Sequence, residues 1–197
     1  MKKILPLLAV LLVSTSVFRA VAETEDLAAA VAAGKVSITF HGIGGSSGDS
    51  IEATVVTTAK AGGDLVLTVA PGTRLQSENV SAQNMVIAGV EGQVISGNSY
   101  SPSSEIRASD TPRTYVFDAY CTDFEKNNPS ASTKFKLGKV DPILACILNE
   151  AGSTIVKQAA VWIYTDKASY SHVNQKFTVS QADWAAAAAI VKKCSAK

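Results

Sequence analysis

Apolar residues recur at every second position in the first half of this chain and at every third or fourth in the second half. That change of period restricts the fold more than any other feature of the sequence. In "KVSITFHGIGG" the residues Val36, Ile38 and Phe40 fall on one side of an extended chain. "SIEATVVTTA" and "GGDLVLTVAPGT" continue the alternation, with Leu65, Leu67 and Val69 aligned, and "AQNMVIAGVEGQVISG" adds one or two more strands. Gly44-Gly45, Gly62-Gly63 and Pro71-Gly72 punctuate the runs. Short strands between regular turn signals predict an antiparallel sandwich or open barrel over 36–110. "NSYSPSSEIRASDTP" reads as a polar loop. "RTYVFDAYC" is then one more strand, with Tyr115, Phe117 and Ala119 on one face and Val116, Asp118 and Tyr120 on the other.

Beyond Cys121 the pattern becomes helical. "VDPILACILNEAG" carries Asp141 as N-cap, Pro142 at the first helical position and Gly152 as a stop. "STIVKQAAVWIYTD" opens on a Ser/Thr cap, and three- and four-residue spacing places Ile155, Ala159 and Trp162 on one face. "SQADWAAAAAIVKKC" begins with the capping box Ser180-x-x-Asp183 and continues in polyalanine, a strong helix former. The class expected is α+β: a β-rich half, then about three helices packed beside it, with 114–197 as a strand plus a helical part.

Residues 1–22 read as a secretory signal peptide: Lys2 and Lys3, an apolar run from Ile4 to Val17, then "AVA" at Ala20 to Ala22. That run is shorter than the ~20 residues a spanning helix needs, and no later run reaches it, so no transmembrane segment is expected. The expectation is one exported domain, 23–197, in a secreted or other extracytoplasmic setting. Three of the 18 basic residues, Lys2, Lys3 and Arg19, fall in the signal, leaving 15 against 17 acidic and a formal charge of −2. That balance, with no basic run, argues against nucleic acid as a partner.

Three cysteines are too few for a disulfide scaffold, so the core must come from apolar packing. A Cys146–Cys194 bridge would tie the terminal helix to the first one; the alternative is a buried, free Cys146. Either way Cys121 is left over. It is an inert buried thiol, a nucleophile served by a histidine, or a thiol covalently tied to another side chain. The histidines are His41, before a Gly-rich loop, and His172, in a polar loop, and neither has a recognisable catalytic context. Scattered cysteines and histidines lack ligand spacing, so neither a metal nor any other cofactor is expected.

The third reading gains from two segments in order: "YCTD", Tyr120 to Asp123, and "KQAAVWIYTD", Lys157 to Asp166, with "PILACILNEAG" between them. Together they resemble the bacterial thioester domain family of surface adhesins. There a Tyr-Cys motif precedes a Thr-Gln-x-Ala-Ile/Val-Trp motif, and the cysteine and glutamine side chains join with loss of ammonia. Carried over, the resemblance implies a thioester between Cys121 and Gln158, with Ala160, Val161 and Trp162 completing the second motif. Lys157 stands where the family has threonine, and Thr122 where it has an apolar residue. The implied function is single-turnover covalent attachment to an amine or hydroxyl on a surface protein or other partner, not catalytic turnover. Tyr120 and Trp162 would shield the bond and Tyr164 would polarise its carbonyl. The competing expectations are a thioester-like fold that binds without a covalent bond, and a cysteine hydrolase using Cys121 and a histidine.

Overall fold

The computed structural model describes residues 24–196, and the expected signal peptide lies outside them. Alternating sequence over 36–57 forms β2 (Val36–Gly42) and β3 (Ser47–Thr57), an antiparallel pair. They follow β1 (Thr24–Asp26) and α1 (Leu27–Ala32). Next come β4 (Leu65–Thr68), β5 (Thr73–Ser77), β6 (Met85–Ser96), β7 (Ser99–Pro102), β8 (Ile106–Ala108), β9 (Arg113–Cys121) and β10 (Lys134–Val140). The last four helices are α2 (Pro142–Asn149), α3 (Thr154–Asp166), α4 (Tyr170–Val173) and α5 (Gln181–Ser195).

The expected α+β class is what forms, and its sheet closes. The strands run β5-β10-β2-β3-β9-β6, and β6 pairs back onto β5, giving a six-stranded antiparallel barrel. Closure satisfies the backbone groups that an edge strand would leave open. β7 extends β6 as a hairpin, and β1, β4 and β8 make a small second sheet. Phe40 on β2 and Phe117 on β9 touch across the intervening β3, ring centroids 5.7 Å apart, which identifies their face as the inside of the curve. β9 alternates without a break, so Tyr115, Phe117, Ala119 and Cys121 all share that face. The Tyr115 hydroxyl donates to the Arg107 carbonyl at 2.9 Å and accepts from the Arg107 N–H at 2.8 Å, tying one end of β9 to the second sheet. Cys121 ends the strand at the other end. One buried apolar cluster runs from Leu27 to Cys194.

The structure departs from the sequence reading in five places. The stretch expected to be a polar loop contains β7 and β8. β7 is polar because it is an exposed hairpin arm turning at Gly97 (φ 53°), whereas β8 buries Ile106 and Ala108. The chain after Cys121 is not helical at once: β10 comes first and supplies a barrel strand. Its signal is present in "KFKLGKV", where Phe135 and Leu137 alternate with lysines. The single turn α4 joins the three expected helices, and α1, which was not expected, precedes the barrel. α2 ends at Asn149, with extended Glu150 as its C-cap, so Gly152 is not its stop. Ile155 is 41% exposed and does not share the buried face of Ala159 and Trp162.

The caps behave as expected. Asp141 accepts from the Ile143 and Leu144 N–H groups at 3.0 and 3.1 Å. Ser153 accepts from Val156, and Ser180 accepts from the Asp183 N–H at 3.1 Å while its hydroxyl donates to the Asp183 carboxylate. α2 begins against the turn before β5: a Cβ on Gly72, whose φ is +86°, would lie 2.6 Å from the Asp141 carbonyl oxygen. Only glycine admits that approach. Cys146 and Cys194 form the disulfide, Cα atoms 5.7 Å apart, joining α2 to α5. No described helix is long and apolar enough to cross a membrane.

Candidate functional site

The site begins where β3 gives out. Ser47, its first residue, pairs with Tyr120, so Cys121 lies opposite the residue just before the strand. The Ser46 carbonyl accepts the Cys121 N–H at 2.9 Å, but β3 offers nothing to the Cys121 carbonyl. The carboxamide of Gln158 takes that place. Its Nε2 donates to the Cys121 carbonyl at 2.9 Å, and its Oε1 accepts from the Cys121 N–H at 3.1 Å. Both residues are fully buried.

α3 delivers Gln158 to this point. Its buried side includes Val156, Gln158, Ala159, Ala160, Val161 and Trp162. Small alanines let the helix approach the barrel wall closely, and the glutamine is the polar group that the unfinished strand requires. A buried amide with neither end bonded would cost about 1–3 kcal/mol. Here both ends are satisfied by the backbone of one residue, Cys121.

The sulfur of Cys121 points elsewhere. Its Sγ lies 3.3 Å from the Met85 Sδ, across the β6–β9 ladder in which Met85 and Cys121 are direct partners. Cys121 is the one free cysteine among the described residues. Burial, with a smaller contribution from Asp123, raises its thiol well above the ordinary range, so it is held as neutral S–H.

Two aspartates brace the chain on either side. Asp123, from the first motif, accepts the Asn84 N–H at 2.7 Å, holding the exit of β9 to the entry of β6. Asp166, from the second, accepts the Phe124 N–H at 3.1 Å, holding the end of α3 to the same exit. Burial raises the Asp166 carboxyl, against hydrogen bonds from Thr165 and the Phe124 N–H. Neither aspartate's bracing role was read from the sequence, although each is the last residue of its motif segment.

The supporting residues divide between the two sides of β9. Trp162, one helical turn beyond Gln158, is buried edge-to-face against Phe124 (5.0 Å) and Phe177 (5.1 Å), and its Nε1 has no hydrogen-bond partner among the described residues. Tyr120 lies on the opposite face from Cys121, its hydroxyl 3.4 Å from the Asp118 carboxylate. Burial raises that phenol strongly. The charge of Lys157, on α3, opposes the rise of Asp118 on this face, whose carboxyl burial pushes to about 6 with help from Glu91. Tyr164 faces the Arg74–Asp141 ion pair (2.7 Å). The donor on the Gln158 oxygen is therefore the Cys121 N–H and not the Tyr164 hydroxyl.

Each histidine is engaged with a carboxylate. His41 Nε2 lies 3.3 Å from Glu52, and His172 Nε2 lies 2.6 Å from Glu125. His172 also packs edge-to-face on Phe124.

A cavity of about 500 Å³ lies between the start of α2 and the β5–β6 wall, lined by Leu75, Met85, Ile143 and Tyr164 among others. A more polar one of about 340 Å³ adjoins it through Arg74, Asn84 and Tyr164 and reaches Thr122. A third, of about 300 Å³, lies among Ser46, Phe124, Asn127 and Trp162. No protein-family model, curated protein or solved structure matches the chain.

Proposed function

We propose that this chain is an exported covalent-attachment module in which Cys121 and Gln158 form an internal thioester. One observation carries the reading: the Gln158 carboxamide is gripped, out of water, by the peptide of the cysteine that would attack it. The Cys121 N–H sits on the oxygen where negative charge would develop as sulfur adds to the carboxamide carbon, an oxyanion-type donor already in place. Holding the carboxamide on the Cys121 backbone keeps it beside the residue that carries the sulfur, so a turn of the Cys121 side chain away from Met85 replaces a bimolecular encounter. In the step, the Sγ–Cδ bond forms and the Cδ–Nε2 bond breaks. The thiol proton goes to the departing nitrogen, which leaves as ammonia. A nucleophile on a partner then opens the thioester and remains joined to residue 158. The two ordered motifs and a disulfide, which persists in oxidising compartments, fit an exported protein of this kind.

The intact mass of the purified protein, non-reduced and denatured, tests this. The expected mass is short by one ammonia beyond the hydrogens of one disulfide, and methylamine then adds across the site. A full mass with one free thiol overturns the proposal.

A second reading has its own observation. The Gln158 amide is satisfied at both ends and the Cys121 sulfur is packed on Met85, as in a structural lock between helix and barrel. On that reading the fold binds its partner without a covalent bond, and the same experiment returns the full mass.

A further inference from the structure

Cys121 and Gln158 are both sealed from solvent, so a nucleophile needs a way in; this inference rests on the thioester reading above. We propose that the way in is the cavity between α2 and the β5–β6 wall, with the Met85 side chain as the gate between it and the reacting atoms. The occupant is a slender primary amine.

Three sides of the pair are closed by hydrogen-bonded structure. The Ser46 carbonyl holds the Cys121 N–H, α3 holds the carboxamide, and the Thr122 N–H donates to the Asn84 carbonyl beyond it. The side of Met85 is different. Its thioether accepts only the weak S–H contact of Cys121, at 3.3 Å, and the same residue lines the cavity of about 500 Å³. Methionine is unbranched with three rotatable bonds, so it changes rotamer more readily than the branched or aromatic side chains around it. Moving it uncovers the sulfur and leaves the backbone ladder intact. Leu75, Val140, Pro142 and Ile143 give the passage walls suited to a methylene stem, and Arg74 and Asp141 stand at its polar side. The incoming nitrogen bonds to Gln158 Cδ, the C–S electron pair returns to Sγ, and the proton shed by the amine ends on sulfur as the Cys121 thiol.

The experiment follows access to these atoms in the native, full-length protein. Where the mass gives a thioester, the rate of methylamine addition is measured. Where it gives a free thiol, the rate of Cys121 alkylation by iodoacetamide is measured, with sulfur displacing iodide and losing its proton to the buffer. The mass thus judges the thioester, and the rates judge the gate. Met85→Ala is expected to raise the rate about tenfold by removing the barrier to local opening. Because Met85 is a core residue, two surface variants carry the test independently. Val140→Trp, at the exposed mouth, is expected to slow the reaction severalfold, and Asn127→Trp, at the third cavity, to leave it unchanged. A Val140→Trp rate equal to wild type, slowing by Asn127→Trp, or a wild-type rate no faster than global unfolding would each overturn the gate.

Discussion

At the scale of single residues, the contact between Gln158 and the Cys121 peptide decides most. Gln158→Leu keeps a similar volume and removes both hydrogen bonds, leaving the Cys121 carbonyl buried without a partner. Measured on protein with the Cys121 thiol free and the Gln158 amide intact, urea denaturation should show a loss of about 1–3 kcal/mol. Cys121→Ala should leave the fold intact and abolish every methylamine adduct, read by mass; adducts that persist would remove Cys121 from the chemistry. Asp118 supplies a pH test on the other face of the strand. Its folded pKa, about 6, stands above the ordinary carboxylate value of 3.8, mainly through burial. The folded state therefore holds the proton more tightly, and stability falls as pH rises from about 4 to about 6. Asp118→Asn should remove that loss: its advantage over wild type in thermal melts should grow across this window and then level off.

At the scale of elements, the caps and the unfinished strand place the site. Asp141 both caps α2 and pairs with Arg74. Burial alone would raise its carboxyl, but the Arg74 hydrogen bond and charge and the two cap N–H groups outweigh it and lower it. The stabilisation it brings is present above the unfolded value, near 3.8, and fades as pH falls through the lower folded value. Asp141→Ala should cost about 1 kcal/mol at neutral pH from the cap alone. In melts the difference from wild type should shrink on acidification. Three of the caps and most strands were legible because each depends on a few adjacent residues. β10 was legible in principle too, but seven residues with three lysines look like surface until the barrel is seen to need another strand.

At the scale of the molecule, the disulfide and the closed barrel act on separate parts. Cys146–Cys194 spans 48 residues and ties α2 to α5, away from the contact between β9 and α3. Cys146→Ser with Cys194→Ser should lower stability by about 2–4 kcal/mol, measured by urea denaturation. The intact-mass signature at Cys121 and Gln158 should be unchanged. A loss of that signature would mean that the α2–α5 tether sets the approach of α3 to the barrel.

Local order determined what the sequence could say by itself. Period-two and helical patterns, cap residues and a count of three cysteines were enough for the α+β class, for the helix starts and for Cys121 as the odd thiol. The two motifs singled out Cys121 and Gln158, whose carboxamide–backbone contact the structure shows. Tertiary structure alone decided that the sheet closes into a barrel, because closure depends on β5 meeting β6 and on β10 entering between β5 and β2. It alone decided that β3 stops one residue short, which is why a buried glutamine is needed opposite Cys121. It also put Tyr120 on the far face of β9 and set Met85 against the sulfur. Those placements come from register between strands distant in the chain, and no local pattern encodes register.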